Sequence, residues 1–560
     1  MSIFKDAVRF VTEHVVGIPS IHEDQTSSEA ESFFRHGSSS QVRENVKVKW
    51  YIDGRNYFYA VSEALMAAKE EIFIESWLLN PELHFRRPPD YEYRLDALLK
   101  KKAEAGIKIY LVIYNGSLLL DLNSKRSKNL LRKLHKNIYV QRHPKDDFFH
   151  WAVTAFTEYA RNFIEKWNHI KKLYDKKEEF PSLVFNKNQC QYKFEDGAQT
   201  KRSGSCSVQI LRSSSTWSHG IPESERSIQD AYIDTIKKAK YFVYIENQFF
   251  TTKETEDYQI KNLIGKAIVE RVVQAYKNDE KFRIIITLQL IPAASDEIKK
   301  YTYENMLTKY YQSICRNKNS IINRIKKAGC DTPERYISFY TLRAHNETGT
   351  CTTEVSIQSK LLIVDDRIVI IGSANLMDRS LNGDRDSEVA AIIEDRSYIE
   401  SKMDGMKWEA GKFSATLRRE IFKEHLGLKI EDDHGTSNYD SLPSSIEEDN
   451  FNLKKLSYAD RIVEDPASDE FYYDYWLRIA NTNTTIFRKI FRCVPDNSVT
   501  DWDEFDAFFS GGNSSVLEKE PMNGLSRIRG HLVVFPLNFM ENEDLTSYKT
   551  SRNIPVYFLI

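Results

Sequence analysis

The sequence predicts an α/β protein made of two similar units, each a sheet covered by helices, followed by a mixed α+β C-terminal region. Three observations carry this. Residues 46–142 alternate strand-like and helix-like segments, the pattern of a parallel, helix-flanked sheet. The alternation returns from Cys206 to Leu342, as an internal duplication at low identity would produce. Residues 357–375, IQSKLLIVDDRIVIIGSAN, form two β-branched runs, LLIV and IVII, joined by the two-residue turn Asp366-Arg367 and bounded by polar groups.

In chain order, residues 1–45 are expected to be a flexible leader, rich in Ser, Glu and Gln (HEDQTSSEAES, GSSSQ). Acids and a histidine within MSIFKDAVRFVTEHVVGIPS make it a poor signal peptide. The first unit, 46–200, opens with the strand and turn VKVKWYIDG and the helix YFYAVSEALMAAKE. Then come the strand EIFIESWLL, the helix RLDALLKKKAEAG, the strand IKIYLVIYN and a strand within LRKLHKNIYVQRHP. There the alternation stops, and residues 148–177 read as one helix. The second unit, 201–395, runs through the strand CSVQILRSS, the helix ESERSIQDAYIDTIKKAK, the strand YFVYIENQFF, a helix reaching Ala275 and the strand FRIIITLQLIP. A Tyr- and Lys-rich helical region (296–328), the strand ERYISFYTL and the hairpin at 357–375 close it. In the C-terminal region, 396–560, residues 395–428 read as helical and 429–468 as an acidic, Ser-rich linker. HLVVFPLNFM and NIPVYFLI read as strands.

Composition narrows the chemistry. With 560 residues, 41% hydrophobic and 29% charged, the chain suits a soluble protein of two to four domains. Its net charge of −2 gives no global attraction to nucleic acid or anionic lipid, so any basic surface must be local. The six cysteines are scattered without a CxxC pair, which argues against a zinc site or disulfide framework. No apolar run approaches the roughly 18 residues of a membrane span. These features lead us to expect a cytoplasmic protein, peripheral to membranes, with no metal, no cofactor and no nucleic-acid partner.

Several stretches resemble the catalytic region of eukaryotic, fungal-type phosphatidylcholine phospholipase D. WYIDGRNYF, IESWLLNPELHFRRP and RLDALLKKKAEAGIKIYLVIY resemble its first lobe. VQILRSSSTWSHGI, YIENQFF and SKLLIVDDRIVIIGSANLMDRSLNGDRDSEVA resemble its second. MDGMKWEAGKFSATLRREIFKEHLG, IFRKIFRCVPDN and IRGHLVVFPLNFM resemble its C-terminal part. The resemblance implies a phospholipase D fold, two α/β/α lobes with a cleft between them, acting on phosphatidylcholine to give phosphatidic acid and choline. In that family two HxKxxxxD motifs, one per lobe, supply a histidine nucleophile, a histidine acid and lysines that neutralise phosphate.

This chain departs from the pattern twice. Among thirteen histidines only His143-Pro144-Lys145 and His169-Ile170-Lys171 match HxK. The first has His150 at the aspartate position; the second has Lys176. The segment RHP resembles family sequence before the first motif and YARNFIEKWNHIKK sequence after it, so lobe one is expected to be truncated near 143–151, by deletion, splicing or a faulty gene model. In the second motif Gln358 stands at the histidine position, and an amide neither titrates near neutrality nor serves as nucleophile.

The resemblance carries Gln358, Lys360 and Asp365 onto catalytic positions and Lys360, Ser373 and Asn375 onto phosphate-binding ones. Gly372, Glu388, Glu246, Asn247 and Gln248 are supporting candidates. Leftover fold architecture is the plain alternative for all of them. Asp365 either orients a side chain or caps the turn. Glu388 is expected to satisfy the Gln358 amide. Arg161 and Lys166 match positions that in the family belong to a phosphoinositide site, against the plainer reading of a solvated basic helix face. His143, His150 and His169 are read as ordinary surface or packed histidines. Three functional readings stay open: a family member that binds membrane phospholipid or phosphoinositide with little hydrolysis; an active phospholipase D completed by a fuller transcript or a partner chain; and a superfamily nuclease or phosphotransferase, against which YIENQFF and the C-terminal match speak. Exposed edges of a truncated lobe leave a homo-oligomer or a partner protein open.

Overall fold

Two separate sheets organise the chain in its computed structural model, which describes residues 34–543 apart from 115–123, 144–156, 174–179, 185–202, 253–260, 291–306, 429–457, 508–523 and a few isolated positions. The first part runs β1 (Arg43–Lys49), α1 (Gly54–Ala67), β2 (Glu71–Ser76), α2 (Leu95–Glu104), β3 (Lys108–Ile113), α3 (Ser124–Leu134), β4 (Ile138–Arg142) and α4 (Thr157–Leu173). Strands β2, β3 and β4 make a three-stranded parallel sheet. Leu98, Leu99 and Leu131 from α2 and α3 cover one face of it, over Ile109, Leu111 and Val140. Phe163, Trp167 and Ile170 of α4 cover the other, against Tyr110 and Val112. Burial on both faces explains why β3 reads KIYLVI without polar alternation.

The second part contributes β5 (Ser203–Ser214), β6 (Glu225–Arg226), α5 (Ser227–Lys238), β7 (Phe242–Asn247), α6 (Ile264–Lys277), β8 (Arg283–Leu288), β9 (Ile337–His345), β10 (Thr352–Glu354), β11 (Lys360–Val364), β12 (Ile368–Gly372) and β13 (Glu388–Asp395). Then follow the hairpin β14 (Tyr398–Met403) and β15 (Met406–Gly411), the helices α7 (Lys412–Leu426) and α8 (Arg478–Phe491), and β16 (Leu532–Val534). The large sheet has eleven strands, ordered β1-β5-β13-β12-β11-β7-β8-β9-β10, with β6 on β5 and β16 on β9. Ile228, Tyr232, Ile268 and Val272 of α5 and α6 pack on one face, over Val243, Ile245, Leu362 and Ile370. Phe413, Leu417 and Phe422 of α7, with Trp476, pack on the other, over Tyr244, Ile363 and Val369.

The predicted α/β architecture and phospholipase D fold are present, with local corrections. Strand β1, expected to open the first unit, instead pairs antiparallel with β5 in the second unit's sheet. Its alternating VKVK pattern marks an edge strand but does not name its partner. The leader ends earlier than expected: Ser38 is buried, and its hydroxyl donates to Ile210 O at 2.7 Å. Residues 1–33 lie outside the described residues, as do most of the 429–468 linker and NIPVYFLI. Residues 458–462, inside that expected linker, form a short helix that buries Ile462.

The 395–428 region is not one helix. Residues 398–411 form the β14–β15 hairpin, turned by Asp404 (φ 52°) and Gly405 (φ 75°). Asp-Gly is a strong two-residue hairpin signal, and it outweighs the helical character of the flanking residues. The β11–β12 turn holds three residues, not two, because Val364 pairs with Ile368. Asp365 and Asp366 both sit at φ 51°, a left-handed conformation that aspartate tolerates.

Candidate functional site

Polar strand ends converge at one end of the large sheet, and register sets which of them face each other. Lys360, the first residue of β11, lies opposite Asn247, the last of β7. Glu388, the first of β13, lies opposite Ser213 of β5. The pairings Leu361–Ile371 and Gly372–Ala390 carry the same face across the sheet, because paired residues and residues two apart point alike. Lys360, Asn247, Glu388 and Ser213 therefore share a face. Gly372 sits at the middle of the row. A Cβ there would lie 2.5 Å from Ala390 Cα and Val389 O, so only glycine lets β12 approach β13 this closely.

The Lys360 ammonium donates to Gln358 O at 2.7 Å and to Gln248 Oε1 at 3.1 Å. The residue is 4% exposed. Burial pushes the ammonium down to about 8, and the nearby Glu388 carboxylate pulls the other way. Glu388 is itself held well above the usual carboxylate range, first by burial and then by Asp386. Ser373 Oγ donates to Glu388 Oε2 at 2.5 Å. Two buried amides complete the row. Asn247 Oδ1 accepts from Phe249 N and Leu376 N, while its Nδ2 has no partner among the described residues; the same holds for Asn375 Oδ1. Buried amide atoms without partners have hydrogen-bonding capacity to give a bound ligand or water.

Other candidates lie elsewhere. Asp365 is at the far end of β11 from Lys360. Its carboxylate accepts the backbone N–H groups of Lys240, Tyr241 and Phe242 at 2.7–2.8 Å, which makes it a clamp on the start of β7 and not a member of the site. Glu246 is one residue before Asn247, so it faces the opposite side of the sheet. There it accepts from Ser359 Oγ and from Tyr244 OH at 2.6 Å, and pairs with His425 Nε2 at 2.9 Å. Burial would raise its carboxyl, but these bonds outweigh burial and hold it below its usual value. Gln358 is exposed and donates to Ser356 Oγ at 3.0 Å; Glu388 bonds Ser373 and not the Gln358 amide.

The family model described as Phospholipase D matches residues 142–353 and 347–498, which together cover more than half of the sequence. The chain belongs to the phospholipase D family. Phospholipase D1 of Schizosaccharomyces pombe is 33% identical over 507 residues, covering 71% of this chain and 36% of that protein. Phospholipase D2 of Bos taurus is 30% identical over 634 positions, covering 91% of this chain and 64% of that protein. The chain thus spans less than two thirds of the length of either relative. A solved structure, the phosphatidylserine synthase of Haemophilus influenzae, overlaps 63% of this chain and 82% of its own at 13% identity and a TM-score of 0.34.

Within this phospholipase D-family chain, α4 packs between the two sheets, and Lys166 does not lie on its exposed face. Lys166 is fully buried; its ammonium pairs with Glu75 of β2 and donates to Ser387 Oγ at 2.5 Å. Arg161 is half-buried and pairs with Glu165 at 3.1 Å. Five residues apart on a helix means about 140° around the axis, so the two cations do not share a surface and the expected phosphoinositide pair is not formed. Arg212 of β5 reaches back to Glu165 at 2.9 Å and Asn162 at 3.2 Å. His143, at the end of β4, is buried edge-on to Trp217, with ring centres 5.1 Å apart. His169 Nε2 lies 3.0 Å from Trp217 O. His150 falls outside the described residues. The sequence reading missed Ser213 and Ser387. Both lie in polar tracts at strand ends, SSS after VQILR and DSE before VAAI, the same signal that singled out Ser373.

Among the described residues no helix is long and apolar enough to cross a membrane.

Proposed function

We propose that this chain binds the phosphodiester of membrane phospholipid at the Lys360 end of the large sheet and hydrolyses it weakly or not at all. The observation that carries the reading is a buried lysine beside two buried, partly unpartnered amides, with an exposed glutamine where the family's chemistry needs an imidazole. Lys360 supplies the positive charge that phosphate oxygens require, and Asn247 Nδ2 supplies a neutral donor to them. Neither Gln358 nor the buried Glu388 carboxyl, which accepts from Ser373, offers a nucleophile of the histidine kind.

The test is purified chain with phosphatidylcholine vesicles, read for co-sedimentation, choline release and transfer to ethanol. Vesicle binding weakened by Lys360→Met, without choline release, supports the reading. Choline release at the rate of a fully active phospholipase D, lost in Lys360→Met, overturns it.

A second reading is an active phospholipase D in a fuller form of this chain. The match to the bovine relative favours it: 634 aligned positions exceed the 560 residues here, so that relative carries residues inside the matched span that have no counterpart in this chain. Sequencing the transcript across codons 140–155 separates the two.

A further inference from the structure

A buried polar cluster lies behind Lys360, on the other face of the large sheet, among the apolar side chains of Leu361, Phe422 and Trp476. Its centre is the Glu246 carboxylate, bonded on three sides. Tyr244 OH donates to Oε2 at 2.6 Å, His425 Nε2 lies 2.9 Å from the same oxygen, and Ser359 Oγ donates to Oε1. His425 comes from the last turn of α7. Its Nε2 is also 3.0 Å from Tyr244 OH, while its buried Nδ1 has no partner among the described residues. Apolar side chains of similar size would stabilise this face at least as well, because a buried charge must first be stripped of its water. Stability alone therefore does not account for the cluster.

What the cluster holds is Ser359. This residue lies between Lys360 and Gln358, whose carbonyl accepts from the Lys360 ammonium at 2.7 Å. The other bond of the ammonium, to Gln248 Oε1 at 3.1 Å, is secured separately, since Gln248 O accepts from Tyr310 OH at 3.1 Å. With Ser359 released, the Gln358 peptide is free to turn, and the ammonium loses the shorter of its two bonds. His425 is anchored in turn. Its carbonyl accepts from His531 N at 3.1 Å, just before β16, and its ring packs beside Trp476 with centres 6.2 Å apart.

We propose that His425 is a positioning residue for the Lys360 end: it fixes Glu246, Glu246 fixes Ser359, and Ser359 sets the Gln358–Lys360 corner that aims the ammonium. The C-terminal region thereby acts on the site through the sheet, without touching ligand. The inference rests on the reading of the Lys360 end for its ligand, but not for the placement of the ammonium.

The test follows the Lys360 amine itself. Acylation of the full chain by a soluble amine reagent over a range of pH, read at Lys360 by mass spectrometry, gives the pH midpoint of the ammonium. In the parent that midpoint is expected at about 8. Ser359 is half-buried, so Ser359→Ala should keep the thermal midpoint near the parent's. It should raise the Lys360 midpoint by about one unit, because an ammonium released toward water returns toward its ordinary value of 10.5. His425→Leu should do the same. His425→Gln, whose Nε2 can replace the imidazole N–H, should restore the parent value, and so should Ser359→Thr. The two residues act along one path, so the His425→Leu, Ser359→Ala double variant should shift the midpoint no further than the larger single change. Glycerophosphocholine affinity should fall about fivefold in Ser359→Ala, the size of one lost hydrogen bond, and recover in Ser359→Thr. A parent that binds no glycerophosphocholine overturns the reading of the Lys360 end, while the midpoints still decide the placement of the ammonium. A midpoint unmoved in Ser359→Ala, additive shifts in the double variant, or His425→Gln indistinguishable from His425→Leu overturns the proposal.

Discussion

Arg418 and Asp366 form a doubly hydrogen-bonded ion pair with no exposed surface on either side chain: Nε to Oδ1 and Nη2 to Oδ2, both 2.7 Å. The pair ties the β11–β12 turn to α7, and so couples the C-terminal region to the strand that carries Lys360. Arg418 also donates to Val463 O at 2.5 Å, which brings in the segment beyond α7. Removing one partner leaves a buried charge uncompensated, which costs about 3–5 kcal/mol. Arg418→Met and Asp366→Asn should each lower the unfolding free energy by that order, read from urea denaturation. The double replacement should cost less than the sum, because it removes both charges. Additive losses would show that the two act separately.

The Lys166–Glu75 pair should behave as a clasp between the lobes. Lys166 touches β2 of the first sheet through Glu75 and the start of β13 through Ser387. Lys166→Met strands a buried Glu75 and frees Ser387 beside Glu388. Amide exchange should therefore speed up in β2 and at the start of β13, and binding at the Lys360 end should weaken without any change at Lys360 itself. Faster exchange in β2 alone would confine Lys166 to the first lobe's own stability.

Binding at the Lys360 end should fall in alkaline solution. The buried ammonium is held down to about 8, so it is mostly charged at pH 7 and mostly neutral at pH 9. Glycerophosphocholine keeps a constant charge over this range. Its affinity should drop about tenfold from pH 7 to pH 9, following the charged fraction of the lysine. Affinity that stays flat across the interval would mean that the ammonium does not contact the ligand.

The strands were readable from the sequence wherever burial on both faces left an uninterrupted apolar run, as in β3, β7 and β11. The polar strand ends were readable too, because Lys360, Ser373 and Asn375 interrupt such runs at fixed spacing. Long-range pairing was not. Nothing in VKVK says that β1 joins β5, and nothing in YARNFIEKWNHIKK distinguishes a basic surface helix from one that buries Lys166 against Glu75. Asp365 and Glu246 show the limit at the site. Both lie in motifs that reach the right strands. However, Asp365 is at the wrong end of β11, and Glu246 is one residue out of phase with Asn247, which in a strand means the other face.

Gln358→His alone should not create phospholipase activity. The side chain at this position is exposed and bonds only Ser356 among the described contacts. A single imidazole there would still lack a second proton-transfer group from the first lobe. Choline release from phosphatidylcholine vesicles should stay at background in this variant. Adding a restored first-motif segment to the chain should give weak release, and adding Gln358→His to that longer chain should raise it. Robust release from Gln358→His in the present chain would mean that another group already serves as the second acid or base.

Acid should loosen the lobe junction through His219. This residue ends the short helix Thr216–His219 and is buried, with Nδ1 3.0 Å from Ser218 Oγ and Nε2 without a partner among the described residues. Burial first, then the charges of Lys166 and Arg212 and the neighbouring His143 and His169, hold it well below its ordinary value of 6.5. Burial also lowers His169 on α4. The sign follows from proton uptake. Above pH 6.5 these histidines are neutral in both the folded and unfolded chain, and stability is unaffected. Below it the unfolded chain takes up protons that the folded chain resists, so each such histidine costs about 1.4 kcal/mol per pH unit until its folded value is reached. Urea unfolding at pH 7.5 and 5.5 should show this loss. His219→Leu should flatten the slope, because leucine removes the titrating group while keeping an apolar side chain in the pocket. An unchanged slope in that variant would place the acid sensitivity elsewhere, with His169 the next residue to replace.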